Sequence, residues 1–224
     1  MKSIKNLAIL LFILLISSCS SSDNDIDIND QSLIENEIIE SINTNSTSEN
    51  TTLTENERDD ILYLREEEKL ARDVYLNSFN KYGLKIFSNI ASSEETHMKN
   101  VLSLITKYGL EDSASEEIGV FNNSELQQLY NQLVEKSNIS LIDALIIGNT
   151  IEDLDIYDLE LNEERTTKTD LLNVYSSLKC GSRNHLRNYY EQLTNNIGNY
   201  SPQYISQELF NNIINTSNEK CGNN

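Results

Sequence analysis

Beyond about residue 53 the apolar residues recur every three or four positions, the spacing of helices that each turn one face to a core. Four long segments carry the pattern. The first, about residues 55–82 and stopped at Gly83, has the stripe Ile61, Leu64, Glu68, Ala71, Tyr75, Phe79. The second, about 86–108 and stopped at Gly109, runs Ile90, Glu94, His97, Val101, Leu104 or Ile105, Tyr108. The third, about 140–161, runs Leu141, Leu145, Gly148, Glu152, Asp155, Leu159, and the fourth, about 167–196, runs Leu171, Val174, Leu178, Ser182, His185, Tyr189, Leu193. Each stripe is broken near its middle by polar groups.

A carboxylate buried without a partner costs several kcal/mol and would sooner take up a proton than stay charged in a core. Polar groups at matching depth on four helices therefore need a common cause, and a bound cation supplies one. Glu68, Glu94, Glu152 and Asp155 bring four negative charges, enough to balance two divalent metals, while neutral His97 and His185 donate ring nitrogens. Residues three apart share a helical face, so Glu94 and His97 can approach one metal from one helix. The chain's only two histidines both lie on these stripes. Taken singly, each position has a plainer reading. The run Glu66, Glu67, Glu68 is usually a solvated face, and Asp153, Asp155 and Asp158 fit one acidic surface. A lone histidine is more often a hydrogen-bonded core group, and Tyr75, Tyr108 and Tyr189 read as packing residues. The coincidence of all of them points to metal.

Composition narrows the field. With 17 basic and 36 acidic residues the formal net charge is -19, a surface that repels phosphate backbones and excludes nucleic acid as a direct partner. Cations are the natural small ligands. One proline and seven glycines in 224 residues argue against a turn-rich sandwich or barrel and for an all-α chain. The 38% share of hydrophobic residues is low for a globular protein, so part of the chain is not packed. That part is the first quarter. Lys2 and Lys5 precede an apolar run over residues 7–16, then Ser17, Ser18 and Cys19. The run is too short to span a membrane and fits a secretory signal. Residues 16–19 resemble a bacterial lipobox, which makes Cys19 a lipidation site and places the mature protein in the bacterial cell envelope, anchored to a membrane; an ordinary signal with an incidental cysteine is the alternative. We read residues 1–19 as lipoprotein signal peptide, 20–52 as a flexible acidic tether, 53–215 as the helical domain and 216–224 as a frayed polar tail. Cys180 and Cys221 then remain as an even pair in an oxidising compartment, where a disulfide is one outcome.

The phrases Glu68-Lys69-Leu70-Ala71-Arg72 and Glu94-Glu95-Thr96-His97 resemble the first two helices of the ferritin-like superfamily. The longer phrases over 66–75, 89–98, 119–130 and 181–187 resemble the ferritin-like family catalogued as domain of unknown function 2202, over about residues 53–200. That resemblance implies a ferritin-like four-helix bundle whose second and third core helices run the same way, joined by a long crossover. Residues 110–139 fit the crossover, with a short helix at 124–137 behind an Asn122-Asn123-Ser124 cap. It implies as metal ligands Glu68, then Glu94 with His97, then Glu152, then His185. Ser182 stands where the pattern has a glutamate, and Asp155, one turn beyond Glu152, is the candidate for the missing oxygen.

Such a site suits iron, or manganese, better than a closed zinc site. The implied activity is that of an oxidoreductase or ferroxidase-like dimetal protein. No Cys-x-x-Cys pair is present, so an external electron donor is expected. Arg72 and Arg183 are expected to balance the charge of the ligands. A homo-oligomer smaller than a storage shell stays open, and the other class of function is a non-catalytic binding or scaffold lipoprotein with a vestigial polar core.

Overall fold

The structure, a computed structural model, describes residues 52–222. Their regular structure is all helical: α1 (Glu55–Tyr82), α2 (Lys85–Lys107), α3 (Ser124–Ser137), α4 (Leu141–Glu164), α5 (Thr169–Asn195) and α6 (Gln207–Ile214). The signal segment, Cys19 and nearly all of the tether lie outside the described residues. No helix among the described residues is long and apolar enough to cross a membrane.

Local chemistry sets the ends of these helices. Thr54 and Glu57 form a reciprocal capping box at the start of α1, and Gly83 closes that helix at φ 67°, a backbone region that favours glycine. Asn123 caps α3 by accepting from the backbone N–H of Glu125 and Leu126, and Ser140 caps α4 through Asp143.

Contacts at the helix ends fix the topology. Arg65 on α1 pairs with Asp112 just after α2, whereas Tyr82 at the end of α1 donates to the carbonyl of Ser137 just before α4, at 2.8 Å. Arg165, just past α4, pairs with Asp60 near the start of α1 at 2.9 Å. Thus α4 runs against α1, and α2, joined to α1 by a tight turn, runs with α4. The connection between α2 and α4 must travel the length of the molecule, and α3 lies within it. Tyr108 after α2 donates to Asp170 on α5 at 2.7 Å, so α5 runs against both. Helix α1 packs on α2, α4 on α5, and α3 on α1 and α4.

Because α1 touches α2, α3, α4 and the crossover, it is buried nearly all round. Glu66, Glu67 and Glu68 are 3%, 6% and 2% exposed, not a solvated face. Glu66 accepts from the backbone N–H of Asn122 and Asn123, both at 2.8 Å. Lys69, fully buried, donates to Asp73 at 2.7 Å and to the carbonyls of Glu117 and Val120. Asp73 in turn accepts from Gly119 N–H. Two of the recognisable sequence phrases, around residues 66–75 and 119–130, are therefore one docking contact.

The chain after α5 is held in the same way. Asp153 on α4, with no exposed surface, accepts from Tyr200 Oη and from the backbone N–H of Gln203, Tyr204 and Ile205. Helix α6, which the sequence pattern did not announce, packs on α5 with Phe210 edge-on to Tyr190. The segment after residue 215 is not frayed where it is described. Glu219 pairs with Arg183 and Arg187 of α5, and Cys221 is disulfide-bonded to Cys180.

Apolar residues form two separate clusters. One gathers Ile61, Leu64, Val101, Leu104, Leu159, Leu171 and Leu178 toward the α1 N-terminus. The other gathers Leu70, Val74, Tyr75, Phe87, Ile90, Leu145, Leu186 and Tyr189 toward the opposite end. Between them lies a polar layer.

Candidate metal centre

That layer is built from facing positions of four helices. Glu68 comes from α1, Glu94 and His97 from α2, Glu152 and Asp155 from α4, Ser182 and His185 from α5. All are buried, none more than 7% exposed. His97 Nδ1 lies 2.8 Å from Glu94 Oε2 and 3.2 Å from Glu68 Oε2. His185 Nδ1 lies 2.9 Å from Glu94 Oε1 and 3.3 Å from Glu152 Oε2. The two imidazoles stack with ring centroids 5.4 Å apart. Two groups of three converging donors result, Glu68–Glu94–His97 and Glu94–Glu152–His185, each able to hold a metal ion, and Glu94 belongs to both.

Asp155 stands beside these groups and joins neither. Its Oδ2 accepts a very short hydrogen bond from Ser182 Oγ, and its Oδ1 has no hydrogen-bond partner. Ser182, at the position where a fourth glutamate was looked for, thus holds a carboxylate that arrives from the neighbouring helix.

Second-layer contacts aim the donors. His185 Nε2 meets Ser93 Oγ at 2.9 Å, which turns Nδ1 inward; with the proton on Nε2, Nδ1 offers a lone pair. Tyr75 Oη donates to Glu152 Oε1 at 2.5 Å. Gly181 on α5 leaves room for the His97 ring: a β-carbon there would stand 2.7 Å from Cε1 and closer still to Nε2. Gly148 on α4 does the same for Tyr189. Ser93, Gly181 and Gly148 carry no charge and break no apolar stripe in a way that marks them, so sequence reasoning missed their role. Arg72 and Arg183 do not serve the ligands as expected. Arg72 pairs with its neighbour Asp73, and Arg183 with Glu219.

The electrostatics show what the layer lacks. Burial pushes the Glu68 carboxyl up to about 7, though the facing His97 draws it down. Burial, then the charges of Glu68 and Glu152, raise Asp155 well above the carboxylate range, and burial with Glu94 raises Glu152. Burial would raise Glu94 too, but His185 and His97 on either side hold it below its ordinary value. Burial would depress the imidazoles; Glu94 and Glu152 instead push His185 up to about 10, and Glu68 and Glu94 raise His97. The imidazoles are the cations these acids meet among the described residues, and they do not suffice. Glu68 Oε1, Glu94 Oε1, Asp155 Oδ1 and His185 Nδ1 are buried without hydrogen-bond partners. At 2.9 Å, Glu94 Oε1 and His185 Nδ1 are close enough for ion pairing but are not aligned for a hydrogen bond. Orphaned donor atoms converging in a buried layer are what a carboxylate and imidazole metal site requires, and the residues fit one.

A cavity of about 20 Å³ adjoins the layer, room for about one water-sized guest. Glu68, Glu94, Glu152 and Asp155 are among the residues that line it, as are Leu129 and Leu133 of α3.

Three likenesses accompany this geometry. The profile of the family described as "Uncharacterized protein domain (DUF2202)" matches residues 57–217. The uncharacterized protein MJ0754 of Methanocaldococcus jannaschii is 49% identical over 169 residues, covering 75% of this chain and 91% of its own length. The crystal structure of hypothetical protein MJ0754 from Methanococcus jannaschii DSM 2661 superposes with a TM-score of 0.74 at 49% identity, covering 75% of this chain and 97% of that one.

Proposed function

The chain belongs to the DUF2202 family of uncharacterized domains, and from the side chains it carries we propose a ferritin-like dimetal protein, an oxidoreductase or ferroxidase-like lipoprotein of the bacterial cell envelope. One observation carries this reading: two three-donor groups share Glu94, and Glu68 Oε1, Glu94 Oε1 and His185 Nδ1 within them are buried without hydrogen-bond partners. A hydrogen-bonded polar core, the scaffold alternative, would satisfy those atoms internally.

Glu68, His97 and Glu94 would hold one metal, and Glu94, Glu152 and His185 the other. Asp155, kept in place by Ser182, stands ready as a further oxygen donor. The donor set is rich in carboxylate and free of thiolate, which favours iron, with manganese next. When bound, such a pair supplies electrons to oxygen or peroxide. The chain's own part is to fix the donors and keep water out. Ser93 orients His185, Tyr75 orients Glu152, and the apolar clusters above and below exclude solvent. Electrons for a catalytic cycle come from an external donor. The likeness of residues 16–19 to a lipobox and the Cys180–Cys221 disulfide, which belongs in an oxidising compartment, both support export.

Anaerobic titration of the full chain with ferrous iron tests the reading. Two equivalents taken up tightly, with oxo-bridged absorbance on aeration, is the expected result. A folded protein that takes up none ends the dimetal reading.

A further inference from the structure

The cavity beside the polar layer is lined by two kinds of side chain. Five are acids, Glu94 of both three-donor groups among them, and the rest are aliphatic residues of α1, α3 and α4. No amide, hydroxyl or basic side chain is among them. An anion would meet acids with no cation in the lining to balance it. A guest with hydrogen-bonding groups of its own would leave some of them against leucine and isoleucine, unpaired and out of water. At about 20 Å³ there is room for about one small molecule. An apolar molecule of two heavy atoms meets neither penalty. Helix α3 supplies the way in. It is fastened at both ends, where Glu66 accepts from the N–H of Asn122 and Asn123 and Tyr82 donates to the carbonyl of Ser137. Its middle presents Leu129 and Leu133, four apart and so on one helical face, to the cavity. Leu133 is buried, whereas Leu129 is partly exposed, as is Leu154 of α4, which lines the cavity too. A side chain that lines a cavity and also reaches solvent is a wall one residue thick, and a change of its rotamer opens that wall while the helix stays in place.

We propose that this cavity binds an uncharged apolar diatomic, dioxygen, that Leu129 is the side chain that swings to admit it, and that Leu133 limits the size of the guest from inside. The use of that guest at the metals rests on the dimetal reading; its binding needs no metal.

Xenon, an apolar stand-in for dioxygen, tests this in the metal-free full chain by methyl NMR. The expected result is a saturable shift of the Leu129, Leu133 and Ile151 methyls as xenon pressure rises. Leu129→Trp and Leu133→Phe lose the shift, with circular dichroism confirming that each is folded, while Leu129→Ala keeps it and exchanges xenon faster. Dioxygen is expected to broaden the same methyls, and azide and hydrogen peroxide to leave them unmoved. No saturable shift in the folded wild type, or one that both enlarged variants retain, overturns the site. Azide or hydrogen peroxide moving those methyls overturns the choice of guest, and unchanged exchange in Leu129→Ala overturns the door. The dimetal reading fails separately: a chain that takes up two ferrous ions and no xenon keeps the pair and loses the cavity site, and one that binds xenon and no iron keeps the cavity site and loses the pair.

Discussion

Gly181 of α5 faces the ring of His97 on α2 so closely that no side chain fits between them. The ring is pinned from its other side by Glu68 and Glu94 at Nδ1, so it has no room to retreat. We predict that Gly181→Ala pushes His97 out of line and weakens metal binding about 10–100-fold, with helical content unchanged. Competition with a chelator of known affinity measures it. An unaltered affinity would show that His97 does not act as a ligand from this position.

Ser182 stands 27 residues from Asp155 in sequence, and its hydroxyl is the partner of one Asp155 oxygen. Ser182→Ala leaves a buried carboxylate with neither oxygen hydrogen-bonded, since Oδ1 already has no partner. The metal-free protein should lose about 1–3 kcal/mol, read from urea denaturation. Asp155→Asn in the same background should recover part of that loss, because burial and the facing acids disfavour a charge at this position and the amide carries none. Independent effects of the two substitutions would deny the coupling.

These cases show what a sequence can and cannot reveal. Glu68, Glu94, His97, Glu152 and His185 were legible because each breaks an apolar stripe whose period is set by the helix. Glu66 and Glu67 were not, because their burial comes from the crossover folding over α1, a contact between residues some fifty positions apart. Asp153 looked like surface for the same reason: the loop it gathers lies about fifty residues downstream. Gly181 and Gly148 act through the absence of a side chain, and only a neighbour's position gives that absence meaning. The helix ends, set by local caps, were read closely.

The Cys180–Cys221 disulfide closes a loop spanning 41 positions that contains the end of α5 and all of α6. Cross-linking restricts the unfolded chain, so Cys221→Ser should lower stability by about 2–4 kcal/mol in denaturant. The tail should nevertheless stay docked, because Glu219 still meets Arg183 and Arg187. Amide exchange reports the docking. Free exchange throughout residues 216–222 in the variant would show that the bridge alone holds the tail.

The metal-free protein should respond to pH in an unusual sense. Glu68 is raised from 4.5 to about 7, and His185 from 6.5 to about 10, both chiefly through the balance of burial against facing charges. A raised folded value means that the native state holds the proton more tightly than the unfolded chain. The associated stability is complete below the unfolded value and is lost as pH climbs through the folded one. Metal-free stability should therefore decline between about pH 5 and 10. Glu219 works in the opposite sense: its two arginines lower it from 4.5 to about 2, so its contribution is present above 4.5 and is lost as pH falls toward 2. The optimum is then mildly acidic, near pH 5. Bound metal replaces the protons on the buried donors, so loading should abolish the alkaline decline and leave the acid limb of Glu219 in place. Urea midpoints at pH 5, 7 and 9, with and without Mn²⁺, check this. A metal-free midpoint that rises from pH 5 to 9 would mean that the layer's acids are not buried together.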